Sequence, residues 1–396
     1  MTRTYSLATF FRMIPNVTLK AFFEKYNIST REINWKYLKQ REVQPLIHQF
    51  RELPRETQIE LEGIFQDVFE LSCESGFEAL QQAAKVFDER LWLQLFAKKP
   101  SLYSVAFWAW TAYRPMFDHA LASHRAQKLS WWRKRDGLPM VTPEWNDEVK
   151  LALETALENY FVENQKRGEV CTVEMQSFDG NTYYFFAYPD DHLWQFQQHD
   201  IDGNLRPKRT RPTFEVVFAY NSQEGTLEIH AKGGEKTKAE LENIFLEAVL
   251  GGHFAMSADS PYDLSVILNE SFALTSDPED GVMIQLKELR LNWKEWGSIH
   301  YRPNKWIDLI AALRTTLLDG NFTRNKAAVE YAKFQFFFFA DQEKKGGALT
   351  FEITSNRCTL RGQCPKRVEI IRKHLKIWEI EHDTVIETDS ELVAVG

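Results

Sequence analysis

The sequence is short of cysteine, of long apolar runs and of net positive charge. Only four cysteines occur in 396 residues, and Cys73, Cys171, Cys358 and Cys364 are scattered. That usage fits a reducing, cytoplasmic compartment better than a disulfide framework. No stretch approaches 18 consecutive apolar residues, so no membrane-spanning helix and no membrane partner are expected. The opening "MTRTYSLATFFRMIPN" lacks an apolar core long enough for a secretory signal. No GxSxG elbow is present, which removes the familiar serine-hydrolase pattern. The formal net charge of −8 argues mildly against a simple nucleic-acid coat.

What is present is ordinary globular material with a surplus of rings. Hydrophobic residues make up 44% and charged residues 26%. Aromatics reach 14%, including 12 Trp and 29 Phe, a density expected of thick cores or of interfaces. The length suggests two or three domains with a sizeable core.

The hydrophobic period divides the chain. Residues 1–167 read as an α-helical domain, with "VTLKAFFEKY", "EVQPLIHQFREL", "ETQIELEGIFQDVFELS" and "GFEALQQAAKVF" as successive helices. A further helix is expected over 143–165, capped by Thr142 and opened by Pro143, with Val149, Ala152, Leu153, Ala156 and Tyr160 as its stripe. "WWRKRDGLPMVTP" before it reads as a loop. From 168 onward the period is two. Asp179-Gly180-Asn181 predicts a hairpin, and three stretches (213–250, 282–318 and 333–378) each read strand, turn, strand, helix. "FFFF" at 336–339 predicts a strand covered on both faces. The expected class is therefore α+β: a helical N-terminal domain, then an α+β domain over 168–396 of hairpin-plus-helix units on largely antiparallel sheet. The polar "ENQKRGE" marks the expected joint.

Several motifs fail on inspection. "KGGEKTKAE" has Glu235 where a phosphate loop needs its second glycine. Thr237 and Glu240 instead suit a capping box. "EIHAKG" sets Glu228, His230 and Lys232 on one strand face, near Glu215, with some likeness to a metal-dependent nuclease. The acid-x-lysine step is absent, however, and the apolar Leu227, Ile229 and Ala231 make it a half-solvated strand. Asp190, Asp191, His192, His199, Asp200 and Asp202 are competent ligands with no compact spacing, in what reads as a loop. Cys358 and Cys364 lack the second ligand pair of a zinc site, although Arg357, Arg361 and Lys366 nearby could lower a thiol pKa. No catalytic residue, metal or cofactor is assigned.

The informative feature is uneven charge. Residues 121–135 carry five cations and no acid, 205–212 carry four and no acid, and 357–376 carry seven with only Glu369. The rest of the chain holds 32 basic residues against 55 acids. Cations beside aromatic rings suit phosphate contact and base stacking. The expected nucleic-acid-binding residues are Arg125, Lys128, Trp132, Arg133, Lys134, Arg135, Arg206, Lys208, Arg209, Arg211, Arg357, Arg361, Lys366 and Arg367. Of the pair Trp131 and Trp132, one ring is expected in the core and one exposed. The expected function is an intracellular, nonenzymatic recognition or scaffolding subunit of a larger assembly, touching nucleic acid and a protein partner or second copy. Two alternatives stand: a nuclease-like hydrolase using the acids and histidines of 190–232, and a pure protein adaptor.

Overall fold

The structure, a computed structural model, describes every residue except 1–3, 31, 88–89, 91–100, 131, 179, 201–202, 253, 255–259, 294–296, 304–307, 319–326, 341–345, 362 and 382–396. In chain order its elements begin with α1 (Leu7–Met13), α2 (Asn16–Lys25), α3 (Gln44–Arg51), α4 (Arg55–Leu71), α5 (Glu74–Phe87), α6 (Leu102–Ala112) and α7 (Arg114–Lys128). There follow β1 (Arg133–Arg135), α8 (Asp147–Gln165), β2 (Cys171–Ser177), β3 (Thr182–Pro189), β4 (Trp194–His199), β5 (Leu205–Thr210), β6 (Val216–Asn221), β7 (Thr226–His230) and α9 (Glu235–Leu250). The last are β8 (Val282–Trp293), β9 (Gly297–Tyr301), α10 (Leu309–Leu318), β10 (Ala327–Phe338), β11 (Gly347–Thr354), β12 (Arg357–Cys358) and α11 (Pro365–Ile377). A helical N-terminal region precedes antiparallel sheets, which is an α+β architecture.

The chain divides into two compact units. One is Met1–Lys128 with Phe178–Gly180 and Leu193–Arg211; the other is the remainder. The joint expected near 168 lies inside the second unit. The reason is packing. Helix α8 buries Leu153, Leu157, Tyr160 and Phe161 in the same core as Cys171 and Val173 of β2 and Phe185 of β3. A change of period therefore marks a helix laid on a sheet, not a boundary.

In the first unit, Phe10, Phe11, Phe22, Phe65 and Phe107 are all buried and form the centre of a helical core. Phe10 stacks on Phe65 with centroids 4.5 Å apart. Among the described residues, strands β4 and β5 pair only with each other, antiparallel.

In the second unit, one sheet runs β1-β7-β6-β3-β2 and another β12-β11-β10-β8-β9. Helices α8 and α9 cover one face of the first sheet, with Phe245 of α9 stacked on Phe218. Helix α11 covers one face of the second, where Trp378 and His374 meet Phe334 and Phe336. Phe337 is partly exposed and Phe339 is 61% exposed, so "FFFF" is sealed on one face only.

Two local starts differ from expectation, and a third falls outside the described residues. Asn146, not Thr142, caps α8, its Oδ1 accepting from the Val149 amide at 2.9 Å. Helix α9 begins at Glu235 after Gly234, two residues before the expected Thr237 cap. Helix α10 begins at Leu309, and the expected start near Asn304 lies outside the described residues. The β6–β7 turn requires glycine. Gly225 has φ +58°, and a Cβ there would strike the Leu138 carbonyl.

Candidate nucleic-acid interface

Residues 133–135 are an edge strand, not a loop. Strand β1 pairs with β7 in the register Arg133↔Ile229, Lys134↔Glu228 and Arg135↔Leu227. Alternation then turns Arg133 and Arg135 towards the helix-covered face, beside Leu227 and Ile229. There Glu242 of α9, itself 2% exposed, accepts from both: Arg133 Nε at 3.1 Å and Arg135 Nη1 at 2.5 Å. Arg133 also reaches Glu235 at 3.0 Å, and Arg135 donates to the Phe254 carbonyl at 2.8 Å.

Lys134 points to the opposite face. Its Nζ lies 3.2 Å from Asp136 and 3.6 Å from Glu381, and over the Tyr262 ring. Glu381 also takes Arg372 at 2.6 Å. On the same face Arg361 pairs with Glu228, donates to Tyr184 Oη at 3.0 Å, and stacks 3.8 Å over the Trp132 ring. Trp132 is 4% exposed and donates from Nε1 to the Leu129 carbonyl. It is a core ring. Trp131 lies outside the described residues.

Two of the basic stretches, 133–135 and 357–361, thus meet within the second unit, around carboxylates rather than around an open groove. Of the candidate residues, Trp132 and Arg135 are buried, and Arg133, Lys134 and Arg361 are half-buried and paired with carboxylates. Arg357 pairs with Glu352 at 3.6 Å. Arg367 lies 4.8 Å from the Phe338 ring centroid, while Lys366 is exposed. In the first unit Arg125 bridges Asp67 and Glu70 at 2.7 and 3.0 Å, and Lys128 lies 3.3 Å from Glu70.

The stretch 205–212 is different. Strand β5 is exposed at every position from Leu205 to Arg209. Its register with β4 is Trp194↔Thr210, Phe196↔Lys208 and Gln198↔Arg206. Directly paired residues share a face, so Trp194, Phe196, Lys208 and Arg206 lie together. Trp194 is 55% exposed and Phe196 43%. Arg206 meets Asp200 at 3.3 Å with its side chain 69% exposed, a surface pair of small energy. Lys208 makes no ion pair among the described residues. Arg55, at the start of α4, donates to the Asp200 carbonyl and joins Arg206 and Lys208 around a cavity of about 340 Å³. Trp194, Phe196 and Arg55 were not among the sequence candidates. The signal available was an aromatic at every second position, opposite alternating cations.

The acids and histidines of 190–232 are divided between the two units, and Asp202 lies outside the described residues. Asp190, Asp191 and His192 belong to the second unit, and His199 and Asp200 to the first. Asp191 is taken by Arg167 at 2.7 Å, and Glu228 by Arg361. His230 Nδ1 lies 2.6 Å from the Ser130 carbonyl. Among the described residues no group of three or more His, Cys, Asp or Glu could hold a metal ion. No described helix is long and apolar enough to cross a membrane.

Thiol chemistry moves from the expected cysteines to another. Burial pushes Cys358 up to about 12. Burial also opposes ionisation of Cys73, but hydrogen bonds from His124, Ser75 and the Gly76 amide outweigh it and hold the thiol at about 6. Sγ lies 3.9 Å from His124 Nε2 and 3.4 Å from the Gly76 nitrogen, in the first turn of α5. Iodoacetamide alkylation of Cys73, followed by peptide mass spectrometry, is expected to reach half its limiting rate near pH 6. His124→Gln should move that midpoint upward. An ordinary midpoint near about 8.5 in the native protein would contradict the assignment.

Comparison of the sequence with protein-family models and with curated proteins finds no match.

Proposed function

We propose that the protein is an intracellular, nonenzymatic recognition or scaffolding subunit that contacts nucleic acid through the β4–β5 hairpin. One observation carries this reading: Trp194, Phe196, Arg206 and Lys208 share one exposed hairpin face. Flat rings offer stacking surfaces to unpaired bases, and the cations beside them attract phosphates. Alternate residues on a strand lie about 6.6–6.8 Å apart, so two rings can each take a base. Stacking needs bases out of a duplex, so the preferred ligand is single-stranded.

The test is an oligonucleotide titration across salt concentration. The wild-type protein should bind a single strand at about 50 mM salt, with affinity falling as salt rises. Changing Arg206, Lys208, Arg209 and Arg211 together to Ala should weaken binding and reduce the salt slope by up to about 3 units, since each single-strand phosphate contact contributes about 0.7. Trp194→Ala and Phe196→Ala should each lose about 1–3 kcal/mol of binding with folding kept. Absence of binding at that salt would overturn the reading. The exposed rings of Trp194 and Phe196 would then favour the protein-adaptor alternative.

A further inference from the structure

We propose that the cavity between the β4–β5 hairpin and the start of α4 takes the terminal phosphate of a single strand, so that the protein recognises a strand end. This rests on the hairpin as the site of single-strand binding and names the part of the ligand that enters the cavity. Register sets the position. Trp194, Phe196 and Gln198 follow one another on one face of β4, opposite Thr210, Lys208 and Arg206 of β5. Gln198, Arg206 and Lys208 also line the cavity. The cavity therefore opens one step of the row, about 6.6–6.8 Å, beyond the Phe196 ring. Helix α4 closes it. Arg55, Glu56 and Ile59 form the wall past the end of β4, and Arg55 Nη1 donates to the Asp200 carbonyl at 3.0 Å. A strand stacked on the two rings meets this wall, and its end lies in the cavity.

The wall carries positive charge that the protein does not use. The cations at 125–135 and at 357–361 each meet a carboxylate. Arg55 instead donates to a carbonyl, which leaves its charge uncompensated, and neither Arg55 nor Lys208 makes an ion pair among the described residues. Arg206 gives only its Nε to Asp200, at 3.3 Å. Asp200 is itself occupied, because its Oδ1 accepts from the Asn204 amide at 2.8 Å and its Oδ2 from Arg206. Glu56, in the first turn of α4, is the one other acid of the wall. Two guanidiniums and an ammonium suit a phosphate monoester. Such a group carries about −1.5 to −2 charge at pH 7 and three strong acceptor oxygens, against a single charge for each phosphate inside a strand. The volume of about 340 Å³ lies within the range of small-molecule sites, with room for the phosphate and the sugar that bears it.

One oligothymidylate, labelled on an internal base, is titrated by fluorescence anisotropy at low salt in three forms: phosphate at the 5′ end, phosphate at the 3′ end, and hydroxyls at both. One phosphorylated form should bind the full chain about tenfold tighter than the hydroxyl form, as expected for an added hydrogen bond to a charged group. Which form it is gives the direction of the strand along the rings. Arg55→Gln can still donate to the Asp200 carbonyl but lacks the charge, and should abolish the preference with unfolding unchanged. Glu56→Gln removes the opposing acid and should enlarge the preference. Equal binding of the three forms by the native protein would overturn the proposal and leave the hairpin as a single-strand site. A preference that survives in Arg55→Gln would also overturn it. Failure of all three forms to bind would overturn the hairpin reading itself, and this proposal with it.

Discussion

Glu242→Ala is expected to cost about 3–5 kcal/mol of folding stability. The carboxylate holds two guanidiniums at once, and all three side chains are largely shielded from water. The side chain of Glu242 is 3% exposed, that of Arg135 7% and that of Arg133 14%. Such a cluster need not stabilise the fold relative to apolar residues of the same volume. Removing its one shared acid is another matter. Two cations would lose their shared acid in low dielectric, although Arg133 would keep Glu235 and Arg135 the Phe254 carbonyl. A control sets the scale. Arg114 and Asp118 form a pair four residues apart on α7, each about half exposed, and Asp118→Ala should change stability by about 0.5 kcal/mol or less. Urea unfolding of the two variants compares them directly. A Glu242→Ala loss below about 1 kcal/mol would show that water reaches the guanidiniums and that β1 is held loosely.

That cluster also explains why charge was the hardest feature to read in the sequence. Lys and Arg in a row look like a surface, because such residues are seldom buried unless paired. Their partner Glu242 stands 109 and 107 residues away from Arg133 and Arg135. Nothing near residue 133 announces it. Only the register of β1 against β7 determines that alternate cations face α9. The segment 194–210 is the converse. It reads as a loop because its apolar alternation is weak and Pro207 interrupts it, yet it forms an antiparallel hairpin.

Features that depend on local pattern were legible. The switch of period, the turn at Gly180 and the strand-turn-strand-helix order of β6–β7–α9 all follow from neighbours in sequence. So does the apolar stripe of α9, where Leu241, Phe245 and Val249 are buried as their spacing implies. The extent of a compact unit was not legible. Helix α8 carries the same 3.6-residue signal as the helices of the first unit, and only its packing against β2 assigns it to the second. The low-pKa thiol was hidden for a similar reason, since Cys73, between α4 and α5, and His124 of α7 are 51 residues apart.

The remaining large effect is at Trp132, where two roles predict opposite measurements. A ring that stacks on bases would lose binding and keep stability when removed. The structure assigns the other role. Trp132 is 4% exposed, carries the Arg361 guanidinium 3.8 Å from its centroid, and lies against the His230 ring. Trp132→Ala should therefore cost about 3–5 kcal/mol, the usual range for emptying a buried aromatic site. Part of that loss arises indirectly, because Arg361 loses its stacking partner while still held by Glu228 and Tyr184. Trp132→Phe keeps a ring under the guanidinium but gives up the Nε1 bond to the Leu129 carbonyl, so its loss should be smaller. For molecules that remain folded, affinity for a single-stranded oligonucleotide should equal that of the native protein, because binding is assigned to β4 and β5. Unchanged unfolding in Trp132→Ala together with lost binding would return this ring to the interface and remove the hairpin from its sole position there.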